Sequence, residues 1–176
     1  GSSATRINSE GLIEKERANL LLQSNTFDTT WGANNVTLAS GQSGYDGSSD
    51  AWLITKSASA ARVQQAPISI SGVQTLSAYV KAGTLNWVAL SNNISYVYFD
   101  VANGLIGTEF NNIDAKIQSV GNGWYRCSVT YQGTATDARI YPSQDDNDST
   151  GTSGNILVQD AQLELGLVST DVITTT

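Results

Sequence analysis

The sequence contains no histidine, and that absence removes Ser-His-Asp and Cys-His catalysis, histidine metal sites and the usual near-neutral pH switch in one step. Cys127 is the single cysteine, so an intrachain disulfide and a thiolate metal cluster are excluded as well. Charge is sparse: 14% of residues are charged, nine basic against 16 acidic, giving a net charge of -7 and a pI near 4.3. Phosphate binding needs clustered Lys and Arg, so no nucleic acid is expected as a partner, and no anionic membrane surface. No apolar run approaches the ~20 residues of a membrane helix. The opening residues do not read as a secretory leader; Gly1-Ser2-Ser3 reads as a cloning remnant and leaves the natural start open.

What is present is 40% hydrophobic residues, 16 Gly and many Ser, Thr and Asn, a balance that favours strands and turns over helices. A chain of 176 residues suits one domain, and a compact domain of that size buries roughly 70% of its unfolded surface. The clearest strand is Gly121 to Tyr131, GNGWYRCSVTY, which opens on turn residues and then alternates. Tyr125, Cys127, Val129 and Tyr131 fit a core, whereas Trp124, Arg126, Ser128 and Thr130 fit a wet surface. Cys127 then reads as a buried small hydrophobe.

The same alternation recurs along the chain. Leu76 to Ala82 sets Leu76, Ala78 and Val80 against Ser77, Tyr79 and Lys81; Asn86 to Ser91 sets Val88 and Leu90 against Trp87, Ala89 and Ser91. Tyr96 to Val101 turns Val97 and Phe99 inward and Tyr96, Tyr98 and Asp100 outward, with Asn103-Gly104 as a hairpin signal. Shorter strands are predicted over Ile106 to Phe110, Ala115 to Val120, Val36 to Ala39 and Ala51 to Thr55. Ala138 to Tyr141 sets Ile140 against Arg139 and Tyr141, and a last long strand runs from Asn155 to Leu165. Asn19 to Gln23, NLLLQ, fits an opening strand, Phe27 to Asn35 a loop holding Trp31, and Ala58 to Gln65 is weakly patterned. Trp31 and Trp52 are assigned to core or sheet edge, and Trp124 to a sheet end. Short strands at this spacing imply an all-β, antiparallel two-sheet β-sandwich or barrel. Residues 1–18 read as the cloning remnant and a connector arm, extended or with a short helix over Glu14 to Asn19. Residues 19–166 read as the β-sandwich domain and 167–176 as a C-terminal tail.

The order NLLLQSNTFDTTW, LSAYVKAGTLNWVAL, YVYFDVANGLIGT, VGNGWYRCSVT, DAQLELG resembles a domain common in tail-fibre and other structural proteins of phages. That domain is similar to the jelly-roll carbohydrate-binding modules of bacterial polysaccharide-degrading enzymes, and ATRINSEGLIE resembles the run that precedes it in phage tail proteins. The resemblance implies a jelly-roll sandwich, a virion or otherwise extracellular location, and a homotrimer as the assembly that fibre proteins allow. It also implies a structural calcium between the first and last strands, with Asp160 where such a carboxylate would lie.

Strand alternation puts Tyr79, Lys81, Trp87, Tyr96, Tyr98, Arg126, Arg139 and Tyr141 opposite the aliphatic side. Of these, Trp87, Tyr98, Arg126, Arg139 and Tyr141 are expected to form one face across neighbouring strands of one sheet. Aromatic rings stack on the apolar faces of sugar rings, and Arg and Lys bond hydroxyls or sugar carboxylates, so the set reads as a site for a glycan or polysaccharide. The same residue types are enriched at protein interfaces, so the competing reading is contact with another subunit or a flanking segment. Asp145, Asp146 and Asp148 place hard oxygen ligands close together, as calcium prefers, but lack the EF-hand pattern; a solvated acidic loop is the alternative. An enzyme would have to work with carboxylates alone, and Asp100, Glu109, Asp137, Asp160 and Glu164 stand in no recognisable catalytic context. The expectation is a non-catalytic carbohydrate-binding module of a phage-like structural protein that requires no cofactor. The alternative is a fibre module whose aromatic face is a subunit interface.

Overall fold

Alternating strands with one aliphatic side must bury that side, and here two sheets bury it against each other. The computed structural model describes residues 5–7, 13–15 and 17–176, and among them are fourteen strands and no helix. In chain order they are β1 (Thr5–Ile7), β2 (Ile13–Lys15), β3 (Gly32–Asn34), β4 (Val36–Gln42), β5 (Ala51–Lys56), β6 (Arg62–Gln65) and β7 (Ile70–Ala82). There follow β8 (Trp87–Ser91), β9 (Tyr96–Asp100), β10 (Leu105–Phe110), β11 (Asp114–Gly121), β12 (Trp124–Ala135), β13 (Ala138–Ser143) and β14 (Asn155–Leu165). β1 and β2 pair with each other. The first large sheet has the order β10-β9-β8-β13-β6-β3 and the second β11-β12-β7-β14-β5-β4, each six-stranded and antiparallel throughout. The chain is an all-β two-sheet sandwich.

The core lies between the sheets. Cys127, Val129 and Tyr131 of β12 and Leu76, Ala78 and Val80 of β7 meet Val88, Leu90, Val97, Phe99 and Ile140 of the first sheet, all without exposed surface. Trp31 and Trp52 join this core, their rings 5.0 and 6.2 Å from Phe27. The Tyr131 hydroxyl donates to Gln74 Oε1, and Gln74 Nε2 donates to the Ile70 and Gly133 carbonyls, so the polar ends of these two buried side chains are paired. Asn103-Gly104 lies in the turn joining β9 to β10. Gly104 has φ +71°, and a Cβ there would sit 2.7 Å from the Tyr125 ring, so the turn needs glycine for both its conformation and the space.

Several local expectations are corrected. Asn19–Gln23 is not a strand. It lies against β14 through Leu20 N–H to the Leu163 carbonyl, while Asn19 Oδ1 accepts from Leu163 N–H and Asn25 Oδ1 from Asp160 N–H. Side-chain amides thus replace ladder bonds where β14 bulges between Gln159 and Gln162. The loop Phe27 to Asn35 contains β3, the weakly patterned stretch contains β6, and β7 begins at Ile70 rather than Leu76. The arm is extended over Ile13–Lys15; the rest of residues 1–16, apart from Thr5–Ile7, lies outside the described residues.

Residues 166–175 run back over the outer side of the second sheet. Thr75 Oγ1 donates to the Gly166 carbonyl, Thr130 Oγ1 to Leu167, Arg126 Nη2 to Thr170, and Thr175 Oγ1 to Leu21. The Glu164 carboxylate accepts from Thr170 N–H and Oγ1, and Gln162 Oε1 from Ile173 N–H. The stretch expected as a tail is a strap across this face.

Candidate functional site

The expected site residues do not form one face. Tyr79 and Lys81 on β7 and Arg126 on β12 belong to the second sheet; Trp87 on β8, Tyr96 and Tyr98 on β9, and Arg139 and Tyr141 on β13 belong to the first. Alternation places each of them opposite the core, but opposite sheets of a sandwich have their outer sides on opposite sides of the molecule. The expectation that Arg126 joins Trp87, Tyr98, Arg139 and Tyr141 is therefore wrong.

On the second sheet the outer side is closed. Tyr79 stacks on Tyr45 with centroids 3.7 Å apart and planes 2° from parallel, and the Arg126 guanidinium lies 5.2 Å from the Tyr79 ring. Trp124 is 2% exposed and meets Tyr45 edge-on. Tyr45 comes from the turn cluster between β4 and β5, and Val172 of the strap packs against the same small core. The Tyr45 hydroxyl donates to Asp160 Oδ2 at 2.8 Å; burial raises the pKa of both groups. For these residues the contact with a flanking segment, set against sugar binding in the sequence, is what the structure contains.

On the first sheet the ladder registers set three rows across the outer side. Phe110, Tyr96, Ser91, Arg139 and Gln64 are successive partners in one; Tyr98, Ala89 and Tyr141 in the next; Leu105, Asp100, Trp87 and Ser143 in the third. The middle strand β8 contributes the short side chains Ala89 and Ser91, so the rings of β9 stand on one side of a shallow floor and Tyr141 on the other. Tyr96 stacks on Phe110 at 5.0 Å and meets Tyr98 edge-on at 5.9 Å. The Arg62 guanidinium lies 5.7 Å from the Tyr141 ring centroid and is held by Nε–H to Gln64 Oε1. Arg139 pairs with the nearly buried Asp137. Tyr98 is 9% exposed, and that burial raises its hydroxyl pKa, with Tyr96, Tyr141 and the acidic loop adding to the effect.

At one end of this face Gly107 on β10 admits both the Trp87 ring and Asp146, each within 2.5 Å of where a Cβ would stand. Asp146 accepts from Thr108 N–H at 2.7 Å and Thr108 Oγ1 at 2.9 Å, which ties the acidic loop to β10 beside Trp87. Asp145 accepts from Asp146 N–H and Asp148 from Thr150 N–H and Oγ1. The Asp145 and Asp148 carboxylates thus serve their own turn, Asp146 serves β10, and Asp160 lies on the other sheet. Among the described residues no group of three or more His, Cys, Asp or Glu side chains is placed to hold a metal ion, and Asp160 is separated from Asp145, Asp146 and Asp148.

Sequence reasoning missed Phe110, Arg62 and Tyr45. Phe110 closes a strand with poor alternation, and its signal is the register with Tyr96; Arg62 and Tyr45 lie in a weakly patterned stretch and a turn cluster.

The fold and these side chains define a class: an antiparallel β-sandwich with one open aromatic and arginine face and one strapped face. No family model matches the chain, and no curated protein matches it. Among solved structures, the chain is similar at 14% identity and a TM-score of 0.49 to a Clostridium thermocellum endo-1,4-β-D-xylanase 10B structure with CBM22-1 and GH10 modules, complexed with xylohexaose. The match covers 84% of this chain and 28% of that one.

Proposed function

We propose that the outer face of the first sheet binds a glycan without cleaving it. The observation that carries this reading is the floor of Ala89 and Ser91 bordered by Tyr96 and Tyr98 on one side and Tyr141 on the other, with Arg62, Arg139 and Trp87 around it. Rings offer apolar planes to sugar faces, and the flanking guanidinium, carboxylate and amide groups offer donors and acceptors for hydroxyls. The non-catalytic reading is supported by where the carboxylates go. Asp100 accepts from the Ala102 and Asn103 N–H groups, Asp137 pairs with Arg139, Glu109 accepts from Asn112, and Asp160 and Glu164 belong to the strapped face. The setting in a phage structural protein, on a virion surface, rests on the sequence resemblance.

A second reading draws on β10, the edge strand of the same sheet. Leu105, Ile106 and Phe110 on it and Ile113 after it are exposed, and exposed apolar edges favour pairing with another chain. On that reading the face is a contact within a homotrimer.

A glycan array followed by affinity measurement on Tyr141→Ala and Tyr96→Ala separates the two. Glycan binding predicts a loss of about 1 to 3 kcal/mol per ring, by analogy with base stacking on aromatics. A trimer seen by light scattering, dissociating in Phe110→Ser while the array stays blank, would establish the interface instead.

A further inference from the structure

The outer side of the second sheet is closed over Tyr79, yet at its β11 edge the strap leaves a recess of about 180 Å³. Its walls are Lys116 and Gln118 from β11, Arg126 and Ser128 from β12, and Val168 and Ser169 from the strap. The ladder pairs Lys116 with Ser128 and Gln118 with Arg126, so the four side chains occupy two alternate rungs of one face and the two cations lie on its diagonal. No acidic side chain lines the recess, although the protein as a whole carries -7.

Arg126 is preorganised. Its guanidinium stacks over Tyr79, and Nη2 donates to the Thr170 carbonyl, the one hydrogen bond it makes among the described residues. A guanidinium has five N–H donors in a fixed fork that matches a carboxylate. Lys116 has an ion pair with Asp114 at 3.8 Å, but both side chains are about half exposed, so that pair costs little to reorganise. The volume exceeds what one carboxylate fills and suits a single hexose-sized ring. Gln118, Ser128 and Ser169 supply neutral donors and acceptors at the recess walls, and Val168 an apolar patch.

We propose that this recess is a second binding site, specific for a sugar ring bearing a carboxylate. The acid group pairs with Arg126 and Lys116, and the ring hydroxyls with Gln118, Ser128 and Ser169. The site lies on the side of the sandwich opposite the aromatic face and does not depend on it.

The test is an amide NMR titration of the whole chain with sodium glucuronate, beside D-glucose and sodium acetate. Glucuronate should shift the amides of residues 116, 118, 126, 128, 168 and 169, acetate should bind about tenfold more weakly for want of ring hydroxyls, and glucose should shift none. Lys116→Gln, at an exposed position that leaves the Tyr79 stack in place, should weaken glucuronate about tenfold. Trp87→Ala should leave that titration unchanged, which separates this site from the glycan face. The proposal is overturned if glucuronate shifts no amide there, if glucose or acetate matches it, or if Lys116→Gln binds as the parent does.

Discussion

The two outer sides of this sandwich are built from the same residue types and have opposite fates. On the second sheet an arginine stacks on Tyr79, Tyr45 covers the ring from the other side, and the strap of residues 166–175 closes over them. On the first sheet an arginine stacks on Tyr141, and among the described residues no segment is bonded across the β8 floor comparably. An aromatic beside an arginine on the side away from the core therefore does not by itself mark a ligand site, because the chain can cover it. On one sheet the chain itself is that cover; on the other the rings stay available to a ligand or a second subunit.

The comparison is broken most directly by truncating one ring on each side. Tyr79→Ala removes a ring held between Tyr45 and Arg126 and should cost about 3 to 5 kcal/mol, the usual range for a buried aromatic. Tyr141→Ala removes a half-buried ring and should cost about 1 kcal/mol. Chemical unfolding measures both. Cys127 gives a second readout, because its buried thiol, with a pKa raised by that burial, should react only on unfolding. Equal losses for the two variants would mean that the faces are not different in kind.

Ending the chain after Gly166 tests the strap itself. The bonds to Thr130, Arg126, Glu164, Gln162 and Leu21 go with it, and net values of about 1 kcal/mol each, partly offset by chain entropy, set the loss at roughly 3 kcal/mol. Trp124 and Tyr79 should become accessible to a hydrophobic dye. An unchanged midpoint would show that the strap is only loosely held, and both faces would then be candidates for ligands.

How far the sequence alone reaches follows from what is local and what is not. Alternation assigned Val88, Leu90, Val97, Phe99, Cys127, Val129 and Ile140 to the core because each strand reports its own two sides, and β14 runs from Asn155 to Leu165 as its pattern indicates. Sheet membership is not local. β8 pairs with β13 some fifty residues on, while β7, its predecessor in the chain, lies in the other sheet. Nothing within KAGTLNWV shows that Lys81 and Trp87 leave on opposite sides of the molecule. The strap was illegible for the same reason, since GLVSTDVITTT has no strand pattern and its role comes from the Gln162, Glu164 and Arg126 side chains waiting for it. NLLLQ misleads because an apolar run has the pattern of a ladder strand, whereas its own Asn19 and the nearby Asn25 supply the bonds through their side chains.

The smallest effect separates the faces by the sign of a pH dependence. Asp160, under Tyr45 on the strapped side, has its pKa raised above the ordinary 3.8, chiefly because burial disfavours the charge. In the window between 3.8 and that raised value the folded chain keeps a proton that the unfolded chain has released. Stability therefore falls as pH rises through the window, and the contribution is fully present only below it. Asp148, in the acidic loop on the open side, has its pKa lowered by hydrogen bonds from Thr150. It contributes stability present above 3.8 and lost as pH falls through its folded value. Melting curves across the acid range should show Asp160→Asn flattening the decline above pH 4, with Asn still able to accept from the Tyr45 hydroxyl. Asp148→Asn should remove part of the loss below pH 4. If both variants change the curve with the same sign, the Asp160 carboxylate is as well solvated as that of the open side, and Tyr45 does not seal it.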